Sequence, residues 1–232
     1  MCSLIPLHAI INGLMLSLPR LYPILDTATL SRLGVPVIEA AVAMLEAGVE
    51  ILQLRHKGYF GRAQVEIAER VAELCRRHGT HFIVNDRADI ALLVEASLHV
   101  GQDDLPPRAA RRLLGPHRVL GFSTHNPEQF EAALAEPVDY IAFGPIFPTA
   151  SKENPDPVTG LDLLPQLAAR CHAAGHPLVA IGGISRARAR EVLAAGADAV
   201  AVIADLYPEP CTPETLYQRV REWLDLLQPT PA

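Results

Sequence analysis

Short apolar runs alternate along this chain with longer stretches that carry a helical pattern. The runs lie at 21–25 (LYPIL), 51–54 (ILQL), 82–84 (FIV), 98–100 (LHV), 119–122 (VLGF), 140–143 (YIAF), 178–181 (LVAI) and 199–203 (AVAVI). They are continuously apolar rather than alternating, which suits strands buried on both faces of a parallel sheet. Helical stretches follow at 35–47, 62–78, 87–94, 107–114, 127–135, 163–174, 186–195 and 213–227. Gly48, Gly79 and Gly196 read as stop signals, and Pro107 and Pro127 as first-turn prolines. Strand and helix in strict alternation predict an α/β fold, a single (β/α)8 TIM barrel over residues 21–228. The runner-up is an open doubly wound sheet, and the absence of a GxGxxG turn after the first strand weighs against its dinucleotide-binding form.

Composition narrows the class. The chain has 232 residues, within the range of a one-domain barrel. Hydrophobic residues make up 50% but aromatic ones only 5%, so the core is aliphatic. A net charge of -6 carries no basic stripe, so no nucleic-acid partner is expected. Cys2, Cys75, Cys171 and Cys211 form no CxxC pair and read as reduced thiols in a cytoplasmic protein. Residues 1–18 are apolar but lack the basic start of a secretory signal, and Pro6, His8 and Asn12 interrupt them as a membrane span. Residues 1–20 are therefore taken as an N-terminal extension, or in part as residues upstream of a true start at Met15, with no membrane role; an ordered extension would cover the bottom of the barrel. A homo-oligomer is left open.

The chemistry sits just past the strand ends. Gln53, Arg55 and Lys57 occupy alternate positions, which puts them on one side of an extended segment. Asn85 and Asp86 follow the third run; Gln102, Asp103 and Asp104 follow the fourth. Asp86 and Asp104 come from neighbouring strands, so they can meet at the rim and hold Mg²⁺ together with a substrate phosphate. As isolated residues each would read equally well as a helix N-cap. Ser123, Thr124 and His125 follow the fifth run, and His125 is an acid–base or a structural candidate. A Pro- and Asn-rich segment at 145–160 containing Thr149, Ser151 and Lys152 reads as a lid. Gly182 and Gly183 open a helix and suit an anion, at the strand-seven and strand-eight loops where barrels often bind phosphate.

Seven ordered segments resemble the thiamine phosphate synthase family: QLRHK (53–57), VNDRADIAL (84–92), HVGQDDLP (99–106), GFSTHN (121–126), DYIAFGPIFPTASK (139–152), VAIGGIS (179–185) and GADAVAVI (196–203). The resemblance implies a transferase that joins a pyrimidine methyl diphosphate to a thiazole phosphate, both small molecules, and releases pyrophosphate through a pyrimidine cation. It implies that Gln53, Arg55, Lys57, Asn85, Ser123 and Lys152 hold the pyrimidine diphosphate, with Arg55, Lys57, Ser123 and Lys152 catalytic. Asp86 and Asp104 match Mg²⁺ ligands, while Thr149, Ser151, Gly182, Gly183, Ile203 and Ala204 match the thiazole phosphate pocket. Three departures stand out: Ser151 where Thr is common, Ala204 where Ser is common, and a variant stretch at 153–157. Thiazole tautomerase relatives, which keep a His matching His125, form the nearest alternative. A non-catalytic phosphate-binding barrel is the other.

Overall fold

A computed structural model describes residues 16–149 and 156–228 of the chain. Eight parallel strands close into a barrel in sequence order, with β1 (Leu21–Asp26) paired to both β2 (Ile51–Arg55) and β8 (Ala199–Val202). Between them run β3 (His81–Asn85), β4 (Ser97–Val100), β5 (Leu120–Thr124), β6 (Tyr140–Phe143) and β7 (Leu178–Ile181). The expected TIM barrel is thus the observed fold.

The helices α2 (Val37–Glu46), α3 (Arg62–His78), α4 (Ala88–Leu93), α5 (Pro107–Leu114), α6 (Pro127–Ala133), α7 (Leu164–Ala173), α8 (Arg186–Ala194) and α9 (Pro213–Leu227) correspond to the expected ones, shortened at most ends. One helix, α1 (Thr27–Leu33), is additional. Asp26 starts it by accepting a hydrogen bond from Thr29 N at 2.8 Å, and Gly34 ends it at φ 69°. Strand β5 runs two residues further than its apolar run, so Ser123 and Thr124 belong to the strand rather than to a loop. The 203 end of the last run leaves the strand as well: Ala204–Leu206 form a single 3₁₀ turn.

The pleat sorts side chains into two layers. Outward residues such as Leu25, Leu54, Val84, Leu98 and Phe143 pack with the helices in one large cluster. Inward residues Tyr22, Ile24, Ile51, Ile83, Tyr140, Val179 and Ala199 form a second cluster inside the barrel. Leu18 belongs to that inner cluster and Leu16 packs against it, which puts this part of the N-terminal segment under the barrel floor. Cys75 and Cys171 are buried, and burial pushes both thiols up to about 12. No single helix among the described residues is long and apolar enough to cross a membrane.

Gly121 fixes how the inner layer packs. It pairs across β5 with His99 on one side and Tyr140 on the other. A Cβ there would lie 2.0 Å from the Tyr140 ring. The vacant position lets that ring lie across β5 and stack on His99, centroids 5.6 Å apart. Gly121→Ala should therefore displace Tyr140 and cost about 1–3 kcal/mol, as overpacking does, read as a lowered urea midpoint. An unchanged midpoint would show that the ring has room to move.

Candidate active site

The inward positions turn polar toward the C-terminal strand ends, and there they line one cavity of about 740 Å³, within the range of small-molecule sites. Gln53 and Arg55 reach it from β2, with Lys57 just beyond. Asn85 and Asp86 come from β3, Asp104 from the loop after β4, and Ser123 from β5. Thr149, Gly182, Gly183, Ile203 and Ala204 line the other side. The structure therefore brings together every site residue expected from sequence except Ser151 and Lys152, which lie outside the described residues.

The β1–β4 side is charged. Arg55 Nη1 donates to Asp26 Oδ2 at 2.5 Å. Asp26 is 3% exposed and also accepts from the Thr29 backbone and hydroxyl, so Arg55 is held by a buried anchor while it faces the cavity. The sequence reading missed Asp26 because it falls at the end of an apolar run and precedes a helix too short to register.

Lys57 Nζ contacts Asp86 Oδ2 at 2.6 Å. Asp86 has φ 65°, a left-handed conformation that Asp and Asn tolerate better than other side chains. Its carboxyl is pushed up to about 6, first by burial and next by the Asp104 carboxyl beside it; Lys57 opposes the rise. Asp104 Oδ2 accepts from Gly101 N at 2.7 Å. Neither acid is a helix cap, since the N-cap residues of α4 and α5 are Arg87 and Pro106.

Asp86 and Asp104, crowded against each other with one partly exposed cation beside them, are the residues that could hold a divalent ion. Among the described residues no cluster of three or more His, Cys, Asp or Glu is present. Two protein oxygen donors, with the remaining positions left to water and ligand phosphate, match Mg²⁺ better than an ion that needs a full protein cage. Beside them the Nδ2 of Asn85, a residue that lines the cavity, is buried and has no hydrogen-bond partner.

The cavity floor is uncharged and polar. Tyr22, Tyr140 and His99 line it, buried and linked by hydrogen bonds at 2.7 and 2.9 Å. Burial raises both phenols well above their ordinary range and pushes the His99 imidazolium down to about 4, so all three are neutral at pH 7. His99 was legible only as part of a strand. The signal that would have found it is parity: apart from Thr124 in β5, the polar residues of the strands share the inward register.

The opposite side is backbone-rich. Gly182 and Gly183 have φ 97° and 64°. A Cβ on Gly182 would meet Pro145 Cα at 2.5 Å, and one on Gly183 would meet Pro148 O at 2.4 Å. The pair is thus required by the close approach of the loop after β6. That loop is pinned at both ends: Phe147 N bonds to Gly182 O at 3.0 Å, and Thr159 N to Pro145 O at 2.9 Å. Ser185, unnoticed in the sequence, caps α8 without a side-chain hydrogen bond and lines the cavity where that helix begins. His125 Nδ1 donates to Gly144 O at 2.8 Å and lies 3.6 Å from Asp156 Oδ2.

Comparison with known proteins identifies the family. Residues 21–206 match the family model described as thiamine monophosphate synthase. The chain belongs to the thiamine monophosphate synthase family. It is 45% identical over 224 residues to a thiamine-phosphate synthase of Koribacter versatilis, covering 91% of this chain and 97% of that one. A thiamine-phosphate synthase of Mycolicibacterium smegmatis is 47% identical over 175 residues, covering 71% and 76%. Among solved structures, the thiamine phosphate pyrophosphorylase of Pyrococcus furiosus superposes with a TM-score of 0.75 at 31% identity, covering 89% of this chain and 94% of that one.

The state of Asp86 makes one test of the acidic pair. A carboxyl raised from 3.8 to about 6 destabilises the fold fully above pH 6, less as pH falls, and not at all below 3.8. In metal-free buffer Asp86→Asn should therefore melt higher than the parent at pH 8, with the gain shrinking below pH 6 and gone near 4. Added Mg²⁺ should raise the parent's melting temperature and leave the variant's unchanged. A lower melt for the variant at pH 8 would count against a strained acidic pair.

Proposed function

We propose that this family member is a thiamine-phosphate synthase. It joins 4-amino-2-methyl-5-(diphosphooxymethyl)pyrimidine to 4-methyl-5-(2-phosphooxyethyl)thiazole or its carboxylated form, giving thiamine phosphate and pyrophosphate, with CO2 lost as well when the thiazole carries the carboxyl. The observation that carries the reading is the two-sided cavity: cations and a carboxylate pair on one wall, glycine backbone and a helix start on the other, with a neutral floor between.

In this reading the reacting C–O bond lies between the floor and the charged wall. The bond breaks with its electron pair leaving on the diphosphate, and the aminopyrimidine ring spreads the positive charge left on its methylene carbon. Arg55, Lys57 and Lys152 stabilise the departing diphosphate, each more effectively in a site that excludes water. Asp86 and Asp104 hold Mg²⁺, which when bound supplies further positive charge to the leaving group. Asn85 donates to the pyrimidine diphosphate, and Gln53 and Ser123 hold the pyrimidine. Gly182, Gly183, Ile203, Ala204, Thr149 and Ser151 receive the thiazole phosphate, helped by the start of α8. The thiazole nitrogen then closes on the carbon, and holding both rings in place supplies much of the rate. No covalent enzyme intermediate is needed.

The purified chain, given both substrates and Mg²⁺, should release pyrophosphate and form thiamine phosphate, detected by mass spectrometry. No product with either thiazole form, across a range of Mg²⁺ concentrations, would overturn the proposal. Lys152→Ala should lower kcat by about a hundredfold or more, as loss of one preorganised charge contact does, with little change in melting temperature. A variant that keeps full turnover would remove Lys152 from the mechanism.

A further inference from the structure

Five side chains inside the barrel join in one run. Gln53 Nε2 donates to the Tyr22 hydroxyl at 3.0 Å. The Tyr22 and Tyr140 hydroxyls meet at 2.7 Å, Tyr140 meets His99 Nδ1 at 2.9 Å, and His99 Nε2 meets Ser123 Oγ at 2.8 Å. Both nitrogens of the buried His99 ring therefore face hydroxyls and not carboxylates, which keeps the ring neutral with a single N–H.

The direction of every link follows from the first. An amide nitrogen only donates. Tyr22 accepts from it, so the one Tyr22 proton goes to Tyr140. The Tyr140 proton then goes to His99 Nδ1, which leaves the imidazole proton on Nε2, pointing at Ser123. Ser123 accepts there, and its own proton is turned toward the cavity that it lines. At the far end the acceptor half of the Gln53 amide is what remains to face a ligand. A single reversed link would set two donors or two acceptors against each other in a buried layer. The run can therefore reverse only as a whole, and only if the Gln53 amide turns over and gives up its donation to Tyr22.

We propose that this run is a single donor–acceptor template, with His99 and Tyr140 as positioning residues, that selects an aminopyrimidine over the same ring carrying an oxo group. The proposal rests on the pyrimidine reading above. An aminopyrimidine presents an N–H beside a ring-nitrogen acceptor. The oxo form presents an oxygen beside a ring N–H, the opposite pattern. Gln53 and Ser123, coupled through three buried residues, match the first and oppose the second.

The test has two arms. In ligand-free protein with ¹⁵N-labelled histidine, NMR should show His99 as one tautomer with the proton on Nε2. By calorimetry, without any thiazole, the protein should bind the aminopyrimidine diphosphate at least about a hundredfold more tightly than its oxo analogue, as sites built on paired hydrogen bonds do. Tyr140→Phe removes one hydroxyl and keeps the ring that stacks on His99. It should mix the two tautomers and lower the preference by about tenfold, the worth of one buried polar mismatch. A purely structural role for Tyr140 would lower the melting temperature and weaken both analogues equally. Tyr22→Phe breaks the same run one link earlier and serves if the first variant fails to fold. An Nδ1–H tautomer in the parent, or an unchanged preference in a folded variant, would overturn the template. Binding of neither pyrimidine would overturn the parent reading and the selection with it, while the tautomer still decides the direction of the run.

Discussion

Strands buried on both faces leave a polar side chain few places to go except the barrel interior, and inside only where hydrogen bonds are supplied. The upper end of this molecule obeys that limit at every floor residue, with Asn85 Nδ2 as the exception beside it. Tyr22, Tyr140 and His99 are tolerated in the inner layer because each hydroxyl and ring nitrogen meets another. Their mutual bonds make the cavity floor rigid, and the lack of a side chain at Gly121 gives the stacked rings their space. The result is a neutral floor under a charged wall, so polarity changes sharply over the height of one side-chain layer.

The charged wall is built with unequal anchors. Arg55 is tied to a buried carboxylate that is itself capped into α1, so its position is set by the fold. Lys57 is about half exposed, and its partner Asp86 carries a raised pKa, so that pair is loosely committed and ready to rearrange around a more highly charged ligand. A site that must bind a multiply charged anion and then release it benefits from both kinds of group. A fixed guanidinium sets the geometry, and an adaptable ammonium–carboxylate pair responds to occupancy.

The barrel was legible because its outer layer is nearly all aliphatic, and each strand shows as an uninterrupted run. The places where the reading slipped are places where the inner layer breaks that run. Strand β5 was placed early because Gly121 and Ser123 dilute its apolar signal, yet those residues make room for the floor and face the cavity. Asp26 and His99 went unassigned because a polar residue inside a strand looks the same in sequence whether it points at a helix or at the barrel axis. Arg55, Asn85 and Asp86 were found because they sit at strand ends, Gln53 because it shares the alternate register of Arg55 and Lys57, and Asp104 because it lies in the short loop after β4. The glycine pair was read as an anion cradle, but the sequence could not reveal the proline-rich loop pressed against it at Pro145 and Pro148.

Barrel closure has a consequence in time. The Tyr207 hydroxyl accepts from Asp26 N and donates to Ile24 O, which ties the segment after β8 to the first strand. Asp26, which anchors Arg55, thus has one of its neighbours 181 positions further along. At about 5–20 residues per second, a ribosome takes roughly 10–40 s to deliver that neighbour after Asp26 has been made. Through that interval β1 lacks its last-strand partner, and its apolar edge has only the nascent chain and the cell's chaperones for company. The residue that opens the functional wall is synthesised well before the neighbour that secures it.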